Sequence, residues 1–381
     1  MNIVMLNCEF PPIGGGAGNA NLHLLRELSG KDGLKVDVLT SGPNPGLSSE
    51  QFSANITIYK VGLHKRDLHF WRRTEVVEWL IKARDQYRKL LAQNNYDLAH
   101  AFFGFPTAYL CLSTASRLPY IISLRGSDVP GKHVRLQLDY KILGPLFKRI
   151  WKNATALVAC SEGLKARAVT FMPGLSIEVI PNGVDLELFS PDPTPEKPDT
   201  LRLLTVGRLS PTKRVEMLID AVEMLQKQGV KVQLTIAGSG ALERRLRQTV
   251  TRKNLADVVR MAGRVEPEKM PRLYRQNDIF VSATMQEGMS NAMLEAMASG
   301  LPIVTTACEG LDELISDNGI IVRGNDPQAL AQAVRALYDD WPTLDRMSKA
   351  AREHAHNFSW KNVAQKYLNL YEKVRNETNK S

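Results

Sequence analysis

Residues 201–237 read LRLLTVGRLSPTKRVEMLIDAVEMLQKQGVKVQLTIA, and this stretch decides the class of fold. Leu201 to Val206 is an apolar, strand-like run, and Val232 to Ala237 is a second run of the same kind. Between them, apolar residues recur at helical spacing, namely Val215, Leu218, Ile219, Val222 and Leu225. Strand, helix and strand in this order predict two parallel strands joined by a right-handed crossover.

The same alternation recurs along the whole chain. Further strands are predicted at residues 3–6, 34–38, 154–159, 177–180, 278–283, 302–306 and 320–322. Residues 190–200 contain four prolines, which forbid a continuous helix or central strand and predict a domain boundary there. We therefore expect an α/β protein with two doubly wound, Rossmann-like halves.

The composition is that of an ordinary globular protein. The chain has 381 residues, 44% of them hydrophobic and 23% charged, which excludes a mainly disordered, collagen-like or coiled-coil protein. The four cysteines and seven histidines show no metal-ligand or disulfide spacing, so a reducing compartment is expected. The N-terminus does not read as a signal peptide, and no apolar stretch reaches the ~20 residues of a spanning helix. The expected location is cytoplasmic.

A glycine-rich loop follows the first predicted strand. Residues 9–18 read EFPPIGGGAG and lead directly into a predicted helix. Such a loop leaves backbone N–H groups open to an anion, and the helix N-terminus adds partial positive charge. A purely structural turn stays an alternative. A nicotinamide site is disfavoured, because the glycines do not fit Gly-x-Gly-x-x-Gly and residues 40–42 supply no ribose-binding acid.

Two cations follow the strand at Leu201 to Val206. Ser210 is expected to cap a helix that begins at Pro211, which places Lys213 in its first turn. A cation is unfavourable at that position. Together with Arg208, however, Lys213 can hold a dianion at the carboxyl end of the strand. A solvated lysine is the alternative interpretation.

Residues 286–302 read QEGMSNAMLEAMASGLP and predict a loop, a short helix, a glycine stop and the next strand. Glu295 lies within the apolar part of this helix and needs a partner, because burying an unpaired charge is costly. Sugar hydroxyls are suitable partners, and a surface glutamate is the alternative. Met289 and Met293 are expected to pack inside the protein.

With these residues, the sequence resembles the retaining glycosyltransferases of family 4, which have the GT-B fold of two Rossmann-like domains facing a central cleft. The resemblance spans essentially the whole chain. Its motifs are residues 181–185 (PNGVD), Gly207 to Leu209 with Lys213, residues 237–240 (AGSG), and Glu287 to Gly300. It implies an acceptor domain at 1–185, completed by a last helix at about 358–381, and a donor domain at 186–357.

The resemblance also implies roles for single residues. Arg208 and Lys213 would bind the diphosphate of a nucleotide-sugar and, with Glu287 facing the donor sugar, would form the catalytic set. Glu295 would bind the ribose hydroxyls. The other implied donor contacts are Gly288, Met289, Ser290 and Asn291 at a helix start, Gly263, Arg264 and Val265 around the base, and Gly15 and Gly16 from the other domain.

The expected chemistry is metal-independent, retaining transfer of the sugar to a hydroxyl of a glycan or a lipid-linked glycan. Negative charge grows on the diphosphate as its bond to the sugar breaks, so fixed cations there stabilise the transition state. The sequence has no Asp-x-Asp element of the kind that holds a divalent ion in other sugar transferases. We therefore expect neither a metal nor another cofactor.

One residue departs from the family pattern. Many members carry a histidine after the strand at residues 120–124, where this chain has Arg125. Arginine cannot act as a base at ordinary pH, but it can contact a phosphate or an anionic acceptor. Asp128 is a second candidate for an acceptor contact, and a turn or cap residue is the alternative.

Basic charge is concentrated in the first half, where residues 1–190 carry six of the nine net positive charges. A peripheral position on an anionic surface, the inner face of the cytoplasmic membrane, is expected from this charge. The residues that favour it are Lys65, Arg66, residues 70–73, Lys132, Arg135, Lys141, Lys148, Arg149, Lys152 and an apolar helix face of Val76, Leu80, Ala83, Tyr87 and Leu90. An ordinary helix packed on that face is the alternative, and no nucleic-acid-binding module is recognised.

Two other functions stay open from the sequence. A nucleotide-sugar epimerase or phosphorylase-like relative would act on the donor without an acceptor. A non-catalytic scaffold at the membrane would bind the donor without turnover.

Overall fold

The computed structural model describes residues 1–68, 70–131, 137–191, 198–285 and 287–378. It divides into two compact units, an N-terminal unit of Met1–Gly183 with Trp360–Ser381 and a C-terminal unit of Val184–Ser359. The proline-rich residues 190–200 therefore follow the boundary instead of forming it, and residues 192–197 lie outside the described residues. The boundaries implied by the resemblance, at 185 and 358, lie within two residues of these divisions.

The N-terminal unit contains an eight-stranded sheet in the order β3-β4-β2-β1-β5-β6-β7-β8. Its strands are β1 Asn2–Asn7, β2 Lys35–Gly42, β3 Gly46–Ser53, β4 Ile56–Gly62, β5 Leu98–Phe102, β6 Tyr120–Leu124, β7 Ala156–Ala159 and β8 Ile177–Val179. All neighbouring strands are parallel except β3, which is antiparallel to β4. Its helices are α1 Gly16–Leu28, α2 Arg73–Gln93, α3 Thr107–Leu112, α4 Gln137–Lys152, α5 Glu162–Phe171 and, from the C-terminal segment, α12 Trp360–Thr378.

The C-terminal unit contains a six-stranded, fully parallel sheet in the order β11-β10-β9-β12-β13-β14. Its strands are β9 Leu201–Val206, β10 Val232–Ala237, β11 Val259–Gly263, β12 Ile279–Ser282, β13 Ile303–Thr306 and β14 Gly319–Val322. Its helices are α6 Val215–Lys227, α7 Glu243–Arg252, α8 Met270–Arg275, α9 Asn291–Ala298, α10 Pro327–Asp339 and α11 Trp341–Ala355. The expectation of two doubly wound parallel sheets is confirmed.

Burial explains which strands the sequence predicted. Residues 3–7 of β1 and all of β9 except Arg202 and Val206 are buried, so their apolar runs were readable. The hairpin of β3 and β4 was not predicted, because β3 reads GLSSEQFS and is almost entirely exposed. A short polar strand at the edge of a sheet carries little apolar signal.

Each sheet has a point at which the strand order reverses. In the C-terminal unit the chain passes from β9 outward to β10 and β11, and then returns to the other side of β9 with β12. In the N-terminal unit the corresponding pair is β1 and β5. Ligands of open α/β sheets bind beyond the carboxyl ends of the strands at such a reversal. We therefore expect ligand contacts in the loops that follow β9 and β12, and in those that follow β1, β5 and β6.

Helix α12 belongs to the N-terminal unit, although it follows the C-terminal unit in sequence. The Tyr371 hydroxyl lies 2.8 Å from Nδ1 of His100, and the Tyr367 hydroxyl lies 2.9 Å from the Ser123 hydroxyl. Nε2 of His100 lies 2.8 Å from that same hydroxyl. This fully buried network fastens α12 beneath the carboxyl ends of β5 and β6.

Candidate functional site

The carboxyl ends of β9 and β12 bring together the residues predicted to hold the diphosphate. A shallow pocket is lined by Gly207, Arg208, Lys213, Ser282 and Ser290. The Lys213 ammonium donates a hydrogen bond to the Glu287 carboxylate, and both side chains are about one quarter exposed. Arg208 is exposed at the rim. The structure thus gathers Arg208, Lys213 and Glu287 from segments 74 residues apart into one accessible site.

The predicted helix start at Pro211 is wrong. Residues Pro211–Lys213 form a separate 3₁₀ turn, Arg214 has left-handed backbone angles (φ 46°, ψ 41°), and α6 begins only at Val215. The left-handed residue interrupts the helical path, so Lys213 does not lie in the first turn of α6. The Ser210 hydroxyl does not cap the turn and lies 2.9 Å from the Thr212 hydroxyl.

Arg214 is a residue that the sequence analysis missed. Its Nε donates to the Ala283 carbonyl at 2.6 Å and its Nη2 donates to the Thr306 hydroxyl at 2.9 Å. Its Nη1 donates to the Asn325 side chain. These bonds join the loop after β9 to the segments that follow β12 and β14 and to the last residue of β13. Nothing local in the sequence signals this role, because the partners are 69 to 111 residues away.

Close backbone contacts explain the glycines of residues 237–240. A Cβ atom on Gly238 would lie 1.9 Å from the carbonyl oxygen of Gly207, and one on Gly240 would lie 2.5 Å from that of Leu209. The Leu209 N–H donates to the Ser239 carbonyl at 3.0 Å, which fixes the two loops side by side. The loop that carries Arg208 is therefore positioned by a neighbouring backbone that only glycine permits.

The loop before α9 has the predicted form. The Ser290 hydroxyl accepts a hydrogen bond from the Met293 N–H and caps the helix. Met289 and Met293 are 6% and 1% exposed, which confirms that they pack inside the protein. Gly288 and Asn291 are half-buried beside them, and Gln286 lies outside the described residues.

Glu295 has the partner that its apolar helix requires. The fully buried Tyr274 on α8 donates its hydroxyl to Oε2 of Glu295 at 2.8 Å. Burial of the carboxyl group raises the pKa of Glu295 to about 7, and the hydrogen bond from Tyr274 opposes that rise. The side chain keeps some exposure to solvent. Tyr274 was not predicted, since no pattern in α8 distinguishes it from other core aromatics.

Residues 263–265 follow β11, next to the loop after β10. The Gly263 carbonyl accepts from the Gly238 N–H at 2.7 Å, Arg264 is exposed and Val265 is half-buried. This segment lies beside the pocket loops on the outer side of the sheet. Its implied role around the base stays a prediction.

The glycine loop of the N-terminal unit contacts an anion of the protein itself. The Gly15 N–H donates to Oε2 of Glu9 at 3.2 Å, and α1 begins at Gly16. Gly14 has a φ of +94°, and a Cβ atom there would lie 2.5 Å from Cβ of Glu9. An incoming phosphate would have to displace this carboxylate from Gly15. The acid stands directly before the prolines and glycines in the sequence, and that signal was overlooked.

Asp128 organises the loop after β6. Its carboxylate accepts from the N–H groups of Gly104, Arg125 and Gly126 at 2.7 to 3.0 Å, and the residue is 5% exposed. Burial raises the pKa of Asp128, and these hydrogen bonds oppose the rise. The geometry favours the turn role over an acceptor contact. Arg125 is half-buried and donates from Nη1 to Oδ1 of Asn182 at 2.9 Å.

The basic face predicted on the N-terminal unit is partly wrong. The Lys65 side chain is 1% exposed and forms an ion pair with Glu75 at 2.9 Å. The apolar face of α2 packs inside, with Ala83, Tyr87 and Leu90 at most 1% exposed. Arg66, Arg72, Arg73, Lys141, Lys148, Arg149 and Lys152 are exposed, whereas Lys132 and Arg135 lie outside the described residues.

The described residues offer neither a metal-binding cluster nor a membrane-spanning helix. No group of three His, Cys, Asp or Glu side chains could hold a metal ion there. No helix in those ranges is long and apolar enough to cross a bilayer.

Comparisons with known proteins define the class. Residues 14–188 match the model "Glycosyltransferase Family 4", and residues 189–354 match "Glycosyl transferases group 1". The D-inositol 3-phosphate glycosyltransferase of Paenarthrobacter aurescens is 26% identical and aligns over 94% of both chains. Sucrose-phosphate synthase of Thermosynechococcus elongatus is 23% identical with a TM-score of 0.84, covering 98% of each chain. HepE of Anabaena, solved with UDP-glucose, is 18% identical with a TM-score of 0.74, covering 98% of this chain and all of the other.

The two parallel sheets have the GT-B fold of these structural neighbours. The chain belongs to glycosyltransferase family 4, and it is a nucleotide-sugar-dependent transferase.

Proposed function

We propose that the chain transfers a sugar from a nucleoside-diphosphate donor to a hydroxyl of a glycan or lipid-linked glycan, with retention and without a metal. The observation that carries this proposal is the pocket at the β9/β12 reversal, where Lys213 contacts Glu287 and Arg208 stands at the rim. Retention rests on the family resemblance. Metal independence is supported by the two cations, because they can neutralise a diphosphate as a divalent ion does elsewhere.

The donor site works by exchange of partners. Without a ligand the Lys213 ammonium is neutralised by Glu287. When the diphosphate enters, Lys213 turns to its oxygens, and Glu287 becomes available for the hydroxyls of the donor sugar. Arg208 contacts the same phosphates from the rim, and Glu295, held by Tyr274, accepts from the ribose hydroxyls.

Charge development then explains the acceleration. The bond between the anomeric carbon and the phosphate oxygen breaks, and the acceptor oxygen bonds to the anomeric carbon on the face from which the phosphate departs. The acceptor proton passes to an oxygen of the leaving diphosphate. Negative charge grows on the diphosphate during this step, so Arg208 and Lys213 bind the transition state more strongly than the ground state.

The first experiment is thermal unfolding with UDP, GDP, ADP and NAD in the presence of EDTA. A ligand at ~100 times its dissociation constant stabilises the fold by ~2.7 kcal/mol. UDP is the first candidate, because the Anabaena neighbour was solved with UDP-glucose. We expect one nucleoside diphosphate to shift the transition and Glu295→Ala to lose the shift. A response to NAD alone would contradict the donor site.

Turnover decides between transfer and the other functions. With EDTA present, the donor and a glycan panel should yield a glycoside with the anomeric configuration of the donor, read by NMR. Donor epimerisation without acceptor, phosphate-dependent release, or binding without turnover would each replace this proposal.

We further propose a peripheral position on an anionic membrane, in a reducing compartment that suits the four free cysteines. The supporting surface differs from the one predicted. Val77 and Ile81 on α2 are 54% and 55% exposed, and Leu138 and Ile142 on α4 are 58% and 66% exposed. The two helices are tied by an ion pair between Arg73 and Asp139 at 3.0 Å.

The exposed apolar residues stand one turn apart on each helix, and cations follow them along the same faces. Arg84 and Arg88 on α2, and Lys148 and Arg149 on α4, are exposed. Apolar residues combined with cations suit a surface of anionic lipid. Co-sedimentation with vesicles containing phosphatidylserine should be strong for the wild type and weak for Ile81→Ser/Ile142→Ser, with Leu47→Ser as an exposed control on β3. Equal sedimentation of all three proteins would contradict the membrane position.

A further inference from the structure

Arg125 is a half-buried cation, and one edge of its guanidinium has no hydrogen-bond partner among the described residues. It follows β6, and its guanidinium carbon lies 4.8 Å from the ring centre of Phe102. Its Nη1 donates to Asn182, an amide that is itself 8% exposed. Its Nε is buried and has no hydrogen-bond partner among the residues that the structure describes. Nε and Nη2 together form the edge with which arginine binds a carboxylate or phosphate through two parallel hydrogen bonds.

Within the described ranges, no carboxylate pairs with that edge or forms an ion pair elsewhere with Arg125. The nearest acid of the loop, Asp128, is committed to three backbone N–H groups. A second guanidinium, that of Arg167, donates to the carbonyls of Gly126 and Val129 in the same loop. Arg167 thus places a second guanidinium against the backbone of this loop.

The groups beneath Arg125 are neutral. His100 is fully buried, and burial, helped by the charge of Arg125, lowers its pKa to about 3. Tyr367 also stays protonated, because burial raises its pKa. A partly buried guanidinium above neutral groups lacks a counter-ion, and such a charge is costly unless a partner completes it.

We propose that Arg125 binds an anionic group of a sugar substrate, a carboxylate or a phosphate, through its Nε–Nη2 edge. The stacking on Phe102 and the bond to Asn182 fix the guanidinium plane before the ligand arrives, which lowers the entropic cost of binding. The inference rests on the transfer reaction proposed above, and it names the class of substrate. The anion belongs either to the donor, as in a uronic acid, or to the acceptor, as in a sugar phosphate.

The test compares matched charged and neutral ligands on the whole chain. The donor arm measures dissociation constants of UDP-glucuronate and UDP-glucose by calorimetry. The acceptor arm measures glucose 6-phosphate and glucose with saturating UDP present. We expect the wild type to bind the charged ligand about tenfold more tightly in one arm, and that arm identifies the source of the anion.

The variants separate specificity from folding. Arg125→Gln should reduce the preference below about threefold, and Arg125→Lys should keep part of it, because lysine retains the charge without the planar edge. Arg26→Gln removes an exposed arginine of α1 and should behave as the wild type. If Arg125→Gln does not fold, Arg125→His provides a second replacement with the residue that many family members carry.

Two results would overturn the proposal: a wild type without preference in either arm, or a preference that survives in Arg125→Gln. UDP binding reports on the C-terminal unit, so a variant that keeps UDP binding and loses the preference isolates Arg125. If the wild type binds no UDP, the proposed donor is refuted, and Arg125 is judged by glucose 6-phosphate against glucose without nucleotide.

Discussion

The cationic side chains at the carboxyl ends of the two sheets differ in how they are paired. In the C-terminal unit, Lys213 is neutralised by Glu287, and Arg214 is fully bonded to neighbouring loops. In the N-terminal unit, Arg125 keeps one edge that bonds to none of the described residues. A ligand that binds Lys213 must therefore replace Glu287 as its partner, whereas a ligand that binds Arg125 only adds a partner. Replacement of Glu287 suits a ligand that enters and leaves in every turnover. That edge of Arg125 favours a substrate with a negatively charged group.

The largest effect is expected at Lys213, where a substitution removes the proposed exchange of Glu287 for the diphosphate. Lys213→Ala should lower kcat/KM by about 10²–10³, because it removes a cation from the leaving group and leaves Glu287 facing the diphosphate. The double variant Lys213→Ala/Glu287→Gln should bind the donor more tightly than Lys213→Ala, although it should stay slow. Steady-state kinetics and calorimetry measure the two quantities.

Lys227→Ala is the matched control, because that side chain is 72% exposed on α6. Normal turnover by Lys213→Ala would contradict the catalytic role. A double variant that binds no better than the single one would contradict the exchange.

The next largest effect is expected at Arg214, whose side-chain hydrogen bonds position the loop that carries Lys213. Arg214→Gly relaxes the left-handed backbone but removes the bonds to Ala283, Thr306 and Asn325. We expect kcat/KM to fall about ten- to a hundredfold, since a misplacement of about 1 Å can cost ~10² in rate. KM for the donor and kcat should both change, because the whole loop after β9 shifts.

Asn254→Gly controls for the backbone, since Asn254 is also left-handed (φ 54°) and is exposed. It should leave kinetics unchanged and stability equal or slightly higher. If Arg214→Gly behaves in the same way, the side-chain bonds do not position the loop.

Several features of the fold and of the candidate site were predictable from the sequence. Lys213 was predicted because it follows an apolar strand and Glu295 because it lies within an apolar helix, whereas the role of Glu287 came from the family resemblance. The parallel sheets were predicted because buried strands are continuous apolar runs. The short helix and the buried Met289 and Met293 were predicted from the local pattern as well.

What the sequence did not reveal depends on distant contacts or on backbone angles. Arg214 interrupts the helix because its side chain finds partners after β12 and at the end of β13, and no neighbour in the sequence announces them. Lys65 was interpreted as a surface cation, although Glu75 in the first turn of α2 binds it inside the unit. Charge alone does not tell a solvated lysine from a paired one.

A smaller effect is the pH dependence that Glu295 imposes. Its pKa of about 7 implies that affinity for UDP-glucose rises about tenfold between pH 6 and pH 8, because only the ionised carboxylate accepts well from ribose hydroxyls. UDP-glucose is the appropriate probe, since its diphosphate has no further ionisation in that range. Glu295→Gln should bind more weakly and without this slope.

The free energy of unfolding should change with pH in the direction opposite to the affinity. A folded pKa of about 7, above the ordinary glutamate value of 4.5, means that the folded state binds the proton more tightly, so ionisation destabilises it as pH rises from about 4.5 to 7. Urea unfolding should show a loss of up to about 3 kcal/mol in the wild type over that window, and Glu295→Gln should lack it. Parallel curves for the two proteins would contradict the raised pKa.

The smallest effect tests whether a neutral partner tunes this carboxylate. Tyr274→Phe removes the 2.8 Å hydrogen bond and keeps the ring against Phe189 and Phe280. The bond opposes the rise of the Glu295 pKa, so its loss should move the midpoint of UDP-glucose binding to higher pH and lower the affinity at pH 7 by less than about threefold. Tyr338→Phe, on α10, is the control and should leave the midpoint unchanged. A midpoint that stays in place in Tyr274→Phe would mean that the tyrosine only packs, and that burial alone sets the titration of Glu295.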